Sequence, residues 1–288
     1  MPSTRRRQTW TIPLIRRALR AGPWLLALAA ILTSGVARAA VAPVTHRHQD
    51  MTFTSGEVNR YAAKAYHRML DEQRRLGLVD QEPGLLHQVR QIAARIIAQG
   101  IRLKFAAGTW DWEVHITDSE DVDAFCMAGG KLLIGTHFIR RYDLDRKELA
   151  IVIAHEVAHA LAEHVREQLS EVQLRRPRLE YHTVADAAHD MNDDLGLYLS
   201  LMPLSRTQEL EADRIGLRLA ARAGFPPRAA LDFYAKMARS EDSERRSLLA
   251  THPDERKRSR LVREWVVPAS RVYRASLNSR QPPAYKFR

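Results

Sequence analysis

"DRKELAIVIAHEVAHALAEH" (Asp145–His164) sets two histidines and a glutamate into a run of Ile, Val, Ala and Leu. Apolar patterning of that length predicts a helix. Asp145 and Glu148 have the D-x-x-E spacing of a capping box, so the helix is expected to run from about Asp145 to Ser170. Titratable groups in such a run are costly to bury unless something binds them. His155, Glu156 and His159 match H-E-x-x-H. Residues four apart stand one above the other on a helix, so the two imidazoles can converge on one ion; Glu156, offset from both, would reach a water instead. Catalytic zinc takes three protein ligands and keeps one position open, so a third ligand must come from elsewhere in the chain.

The source is sought in "SRTQELEADRIGLRLAARAG" (Ser205–Gly224), an amphipathic helical pattern closed by Gly224, Pro226 and Pro227. Glu209 and Glu211 are two apart, on nearly opposite sides of a helix, and cannot both face one ion. Asp213 lies four after Glu209 and shares its face. Glu209 is therefore the expected third ligand, with Asp213 a carboxylate that holds a ligand histidine by its other ring nitrogen. Glu211 is read as a solvated charge, its ligation the alternative.

Upstream, "EVNRYAAKAYHRMLDEQRRLG" and "GLLHQVRQIAARIIAQG" show helical spacing, with Gly77 and Gly100 as expected stops. "WDWEVHIT" alternates as a strand does, and "DAFCMAGGKLLIGT" reads as a strand, a Gly-Gly break and a further strand. Residues 171–204 are polar and interrupted, expected to be a helix-containing insertion that could lie over a cleft as a lid. Helices are expected at about 228–240 and 254–265. Strands gathered in one block with helices on either side give an α+β class, mainly helical with a small sheet. The expected divisions are a signal peptide (1–39), a mobile leader (40–56), one catalytic domain (57–268) and a loose tail (269–288).

The formal charge of +11 suggests nucleic acid until it is located. Seven of the 45 basic residues and none of the 34 acidic ones fall in residues 1–39, which leaves 38 against 34 in the remainder. No nucleic-acid partner is expected. The basic N-terminus, the apolar "WLLALAAIL" (Trp24–Leu32) and the small-residue "TSGVARAA" (Thr33–Ala40) read as an export signal cleaved near Ala39. The implied location is the bacterial periplasm; the alternative is an inner-membrane anchor facing it. Cys126 is the only cysteine, so no intrachain disulfide exists, and it is expected to be a small buried group beside the site. His182, Asp186, His189 and Asp193 fall at helical spacing and are read as a polar helix face. His164, one turn past the zinc motif, is expected to pack or bond locally.

Together, HEVAH and S-R-x-x-E-x-x-A-D (Ser205, Arg206, Glu209, Ala212, Asp213) resemble the metallopeptidase family 48 gluzincins. "DAFCMAGGKLLIG" resembles that family's N-A-F-x-x-x-G-G segment, with Asp123 in place of the usual Asn, and "THPDERKR" (Thr251–Arg258) resembles its T-H-P-x-x-x-x-R segment. The resemblance implies a zincin-like fold and one Zn²⁺ per chain held by His155, His159 and Glu209, with Asp213 and Arg206 behind them. It implies Glu156 as general base and then proton donor, and His252 close to the metal. It also implies that Gly129, Gly130, Lys131, Leu132 and Leu133 belong to an edge strand that pairs with substrate backbone. The expected activity is a zinc endopeptidase acting on unfolded or extended polypeptide in envelope quality control; a non-hydrolytic chaperone on the same fold is the alternative. Envelope assembly machinery or a membrane surface are further expected partners.

Overall fold

The computed structural model describes residues 38–175, 183–239 and 255–287. Most of the expected signal peptide, part of the expected lid (176–182) and Thr251–Asp254 with His252 lie outside the described residues, as does His182.

The chain begins with an antiparallel hairpin, β1 (Arg38–Val41) and β2 (His48–Met51). Residues 40–56 were expected to be a mobile leader, and this is corrected. The side chains of β2 alternate across the strand, and Gln49 and Met51 turn inward to become fully buried. Helix α1 (Ser55–Arg75) starts at a reciprocal cap in which the Glu57 amide donates to Thr54 Oγ1 and the Thr54 amide to Glu57 Oε2. Gly77, at φ +71°, stops the chain there. In α2 (Pro83–Leu103) proline sits in the first turn, where its missing N–H costs nothing. Gly100 does not end this helix. A Cβ at Gly100 would stand 3.0 Å from Leu161 Cδ1, so its glycine serves close packing against the zinc-motif helix.

A short 3₁₀ turn (Phe105–Thr109) leads into a three-stranded sheet of β3 (Glu113–Thr117), β4 (Ala124–Met127) and β5 (Lys131–Gly135). The order is β3-β5-β4, with β5 parallel to β3 and antiparallel to β4. The expected edge strand is thereby corrected. Lys131, Leu132 and Leu133 lie in the central strand, which is buried at all five positions, and Lys131 Nζ pairs with Glu113 Oε1 at 2.6 Å. Gly129 and Gly130 form the turn, at φ +79° and +84°. Any Cβ at Gly130 would meet the Trp112 indole at 2.5 Å. A continuous apolar run and a two-glycine break are legible in a sequence, but pairing order is set by non-local contacts. β3 and β4 are the outer strands; Val79 bridges to Thr117 of β3, and among the described residues β4 pairs on one side only.

After α3 (Thr136–Arg141) comes the zinc-motif helix α4 (Arg146–Leu161), whose capping box forms as expected: Asp145 accepts from the amides of Lys147 and Glu148, and Glu148 accepts from the Asp145 amide. Leu149, Ile153, Val157 and Leu161 are fully buried, each stabilising the fold by roughly 1.5–3 kcal/mol. The helix ends nine residues before Ser170. Glu163 takes φ +56°, which breaks the helix, and a new helix, α5 (His164–Arg175), begins. Side chains from distant segments satisfy the freed carbonyls. Lys104 donates to Leu161 O at 3.0 Å and Gln49 to Ala162 O at 2.9 Å.

Next come α6 (Val184–Asp193), α7 (Leu195–Arg222) and α8 (Ala229–Arg239), and the last helix is α9 (Glu255–Leu277). Helix α7 starts ten residues before Ser205 and runs through Pro203. Much of the expected insertion is therefore ordinary helix: Val172, Val184, Ala187, Leu197 and Leu201 bury together with Val58 and Ala62 of α1. The exposed side chains of His189 and Asp193 pair on α6, in keeping with a polar face. The expected loose tail is also corrected. Helix α9 continues past Pro268, Ser276 Oγ donates to Ala221 O, and the Tyr285 amide donates to Ala94 O on α2. No helix among the described residues is long and apolar enough to cross a membrane.

Candidate metal centre

Helices α4 and α7 cross with very little between them. A Cβ on Gly216 would lie 3.0 Å from both the Cα and the amide nitrogen of His155. That close approach brings Glu209, two turns earlier on α7, over the zinc-motif helix. The Nε2 atoms of His155 and His159 are 3.0 Å apart. Glu209 places one carboxylate oxygen 3.4 Å from His155 Nε2 and the other 3.3 Å from His159 Nε2. All three ligand atoms lie within 4.8 Å of one another. Donors about 2.0–2.1 Å from a tetrahedral zinc stand roughly 3.3 Å apart, so this set has the spacing and the nitrogen and oxygen chemistry of a zinc site. Burial pushes His159 down to about 3, leaving a neutral imidazole with a lone pair to offer. Burial also opposes charge on His155, but the Asp213 and Glu209 carboxylates outweigh it and raise this group to about 10. An ion bound here takes the place of that proton.

Behind His155 stands Asp213, its Oδ1 3.0 Å from His155 Nδ1. Arg258 of α9 grips Asp213 in a two-pronged pair, Nε to Oδ2 and Nη2 to Oδ1, both at 2.8 Å, and its Nη1 reaches Glu209 Oε2 at 2.8 Å. Tyr234 donates to Asp213 Oδ1 at 3.1 Å. Burial alone would raise the Asp213 carboxyl; the Arg258 guanidinium and His155 carry it well below the usual range instead. Arg206, expected in this supporting role, is exposed on α7. Arg258 is the buried guanidinium that does support the ligands. Its signal in the sequence was the last position of the T-H-P-x-x-x-x-R segment.

A second support stands behind His159. His164, the first residue after the break in the helix, is buried, with Nδ1 2.9 Å from His159 Nδ1 and Nε2 3.1 Å from Glu211 Oε2. Glu211 is not a solvated charge. It is buried on the far face of α7, bonded also to Arg47 and Thr45 from the hairpin. Phase alone sets Glu211 opposite Glu209; that both faces of α7 are covered is a tertiary fact.

Glu156 is buried and lines a cleft of about 290 Å³ together with His159, Glu209, Ser205 and the segment Asp121–Cys126 that ends in β4. Asp123 at its rim pairs with Arg141 and accepts the Gly135 amide. Cys126 is buried below the cleft, its thiol pushed well up by burial and by the nearby Glu156 carboxylate. On the other side of Glu156 a small cavity of about 40 Å³ is walled by Phe138, Val152, Phe233 and Met237.

Residues 86–266, well over half the chain, match the family model for peptidase family M48. The chain belongs to peptidase family M48. Its M48 relatives include a mitochondrial metalloendopeptidase OMA1 of Schizosaccharomyces pombe, 30% identical over 240 residues, which are 81% of this chain and 67% of that protein. An Arabidopsis thaliana protein of the same name is 37% identical over 154 residues, 52% of this chain and 31% of the relative. A beta-barrel assembly-enhancing protease of Yersinia pestis is 25% identical over 187 residues, 60% of this chain and 37% of the relative. The chain thus spans between about a third and two thirds of the length of these M48 proteins.

Proposed function

We propose that this chain is a zinc-dependent endopeptidase acting on extended or unfolded polypeptide. The observation that carries the reading is the convergence of His155, His159 and Glu209 beside a buried Glu156 in one open cleft. Zinc held by those three residues supplies the Lewis acidity that acidifies a water and polarises a peptide carbonyl. Glu156 takes the proton of the attacking water and returns it to the leaving amine. Asp213 and His164 orient the ligand imidazoles. β4, paired on one side only among the described residues, lines the cleft and would offer backbone groups to an extended chain, a mode that disfavours compact substrates. The likeness to a beta-barrel assembly-enhancing protease and the signal-like N-terminus support a place in the bacterial cell envelope, periplasmic and concerned with protein quality control. His252 is assigned a place at the metal by its T-H-P context alone.

Incubation with unfolded casein, with and without a chelator, tests the activity. Cleavage should stop with the chelator and return with zinc. Glu156→Gln should retain one zinc per chain and lose cleavage by at least about a hundredfold; an active Glu156→Gln protein would overturn the assignment of the base.

A further inference from the structure

The hairpin β1–β2 precedes the segment that matches the family, yet three of its side chains point into the junction of α4, α5 and α7. Arg47 lies between two buried carboxylates. Its Nη2 is 2.7 Å from Glu211 Oε2 and 2.7 Å from Glu167 Oε2, its Nε is 3.1 Å from Glu211, and its Nη1 bonds the other oxygen of Glu167. Thr45 donates to Glu211 Oε1. Gln49 donates to Ala162 O and to Glu167 Oε2 at 2.9 Å each, sharing Glu167 with Arg47 but making no bond to Glu211.

The contacts run inward from Glu211 through His164 to His159. A carboxylate only accepts, so His164 Nε2 carries the hydrogen it gives to Glu211. His164 Nδ1 lies 2.9 Å from His159 Nδ1, a hydrogen-bond distance between the two rings. Held from that side, the His159 ring turns its Nε2 toward His155 and Glu209.

We propose that the N-terminal hairpin is a working part of the metal centre: Arg47 and Thr45 hold Glu211, Glu211 holds His164, and His164 holds the His159 ring in its metal-facing orientation. The proposal rests on the zinc reading above. Arg47 and Thr45 are positioning residues, since neither touches the ligand atoms. Removing the guanidinium leaves Glu167 and Glu211 facing each other without their shared cation, and one of them must move. Glu211 is the one whose movement reaches the ligand.

The test uses the full chain with Zn²⁺ and Co²⁺ as probes. Zinc affinity is measured by chelator competition, and the visible absorption of the cobalt form reports ligand geometry. Wild type, Arg47→Gln, Thr45→Val and Gln49→Ala are compared, with far-UV circular dichroism as the check on folding. Arg47→Gln should weaken zinc about tenfold or more and alter the cobalt bands. Thr45→Val should move both readouts in the same direction by less. Gln49→Ala loosens the hairpin without touching Glu211 and should leave both readouts at the wild-type level. Should Arg47→Gln not fold, Thr45→Val decides by the same criterion. Wild-type affinity and spectra in both Arg47→Gln and Thr45→Val would overturn the proposal alone, as would an equal loss in Gln49→Ala, which would make the hairpin a mere anchor. A wild-type chain that binds no zinc would overturn the metal reading and this proposal together.

Discussion

Asp213 carries more of the site than its place behind the ligand histidine suggests, because it faces His155 on one side and Arg258 and Tyr234 on the other. Asp213→Asn leaves the Arg258 guanidinium buried with one carboxylate partner fewer. A loss of about 3–5 kcal/mol in unfolding free energy is expected, and zinc should bind about 10–100-fold more weakly; denaturant titration and chelator competition measure the two. Glu211 makes a pH prediction. Burial works against its charge, but His164, Arg47 and Thr45 lower it from 4.5 to about 2. A carboxyl lowered on folding contributes stability that is full above about 4.5 and is lost as pH falls toward 2. The metal-free protein should therefore melt progressively lower across that window, with a shallower fall in Glu211→Gln. The contrast between Glu209 and Glu211 marks how far residue-level reading goes. Spacing separates them onto opposite faces, and only one face was visibly functional. The partners of Glu211 lie 47 and more than 160 residues away, beyond the reach of any local pattern.

Among the elements, the α4–α7 crossing is set by a single glycine. Gly216→Val puts side-chain atoms where His155 backbone now lies, and relief requires the helices to part. Such overpacking costs typically 1–3 kcal/mol. Because the shift separates Glu209 from the two histidines, cleavage should fall by more than stability does; comparing residual activity with the melting temperature checks this. The start of α4 was legible because its capping box is local, whereas its end was not. Nothing near Ala162 in the sequence marks a stop, and the carbonyls there are satisfied by Lys104 and Gln49 from other parts of the chain. The same limit applies to the sheet, where each strand was visible but the central place of β5 depends on β3 returning beside it.

For the molecule as a whole, the described residues build one large core around α4, a smaller one where α5, α6 and α7 meet α1, and a third in which Tyr66 and Leu70 of α1 bury Leu133 of β5. The sequence showed the catalytic framework well because H-E-x-x-H and the S-R-x-x-E-x-x-A-D segment are local patterns on strong helices. It underrated both ends of the chain, where polar composition concealed a docked hairpin and a helix that runs to Leu277. His252→Ala tests the remaining assignment. Casein cleavage should fall at least about tenfold, as for loss of a proton-transfer or charge-stabilising group, and an unchanged rate would remove His252 from the site.

Cys126 gives this protein a native reporter. The only thiol in the chain lies under the cleft, one strand residue beyond Phe125, buried and with its pKa raised, so it is a poor nucleophile while β4 stays packed on α4. Its alkylation rate then measures how often β4 lifts away from α4. Comparing that rate with and without zinc, or with a chain-like inhibitor bound, would follow breathing of the site in unmodified protein, with no label introduced by mutation.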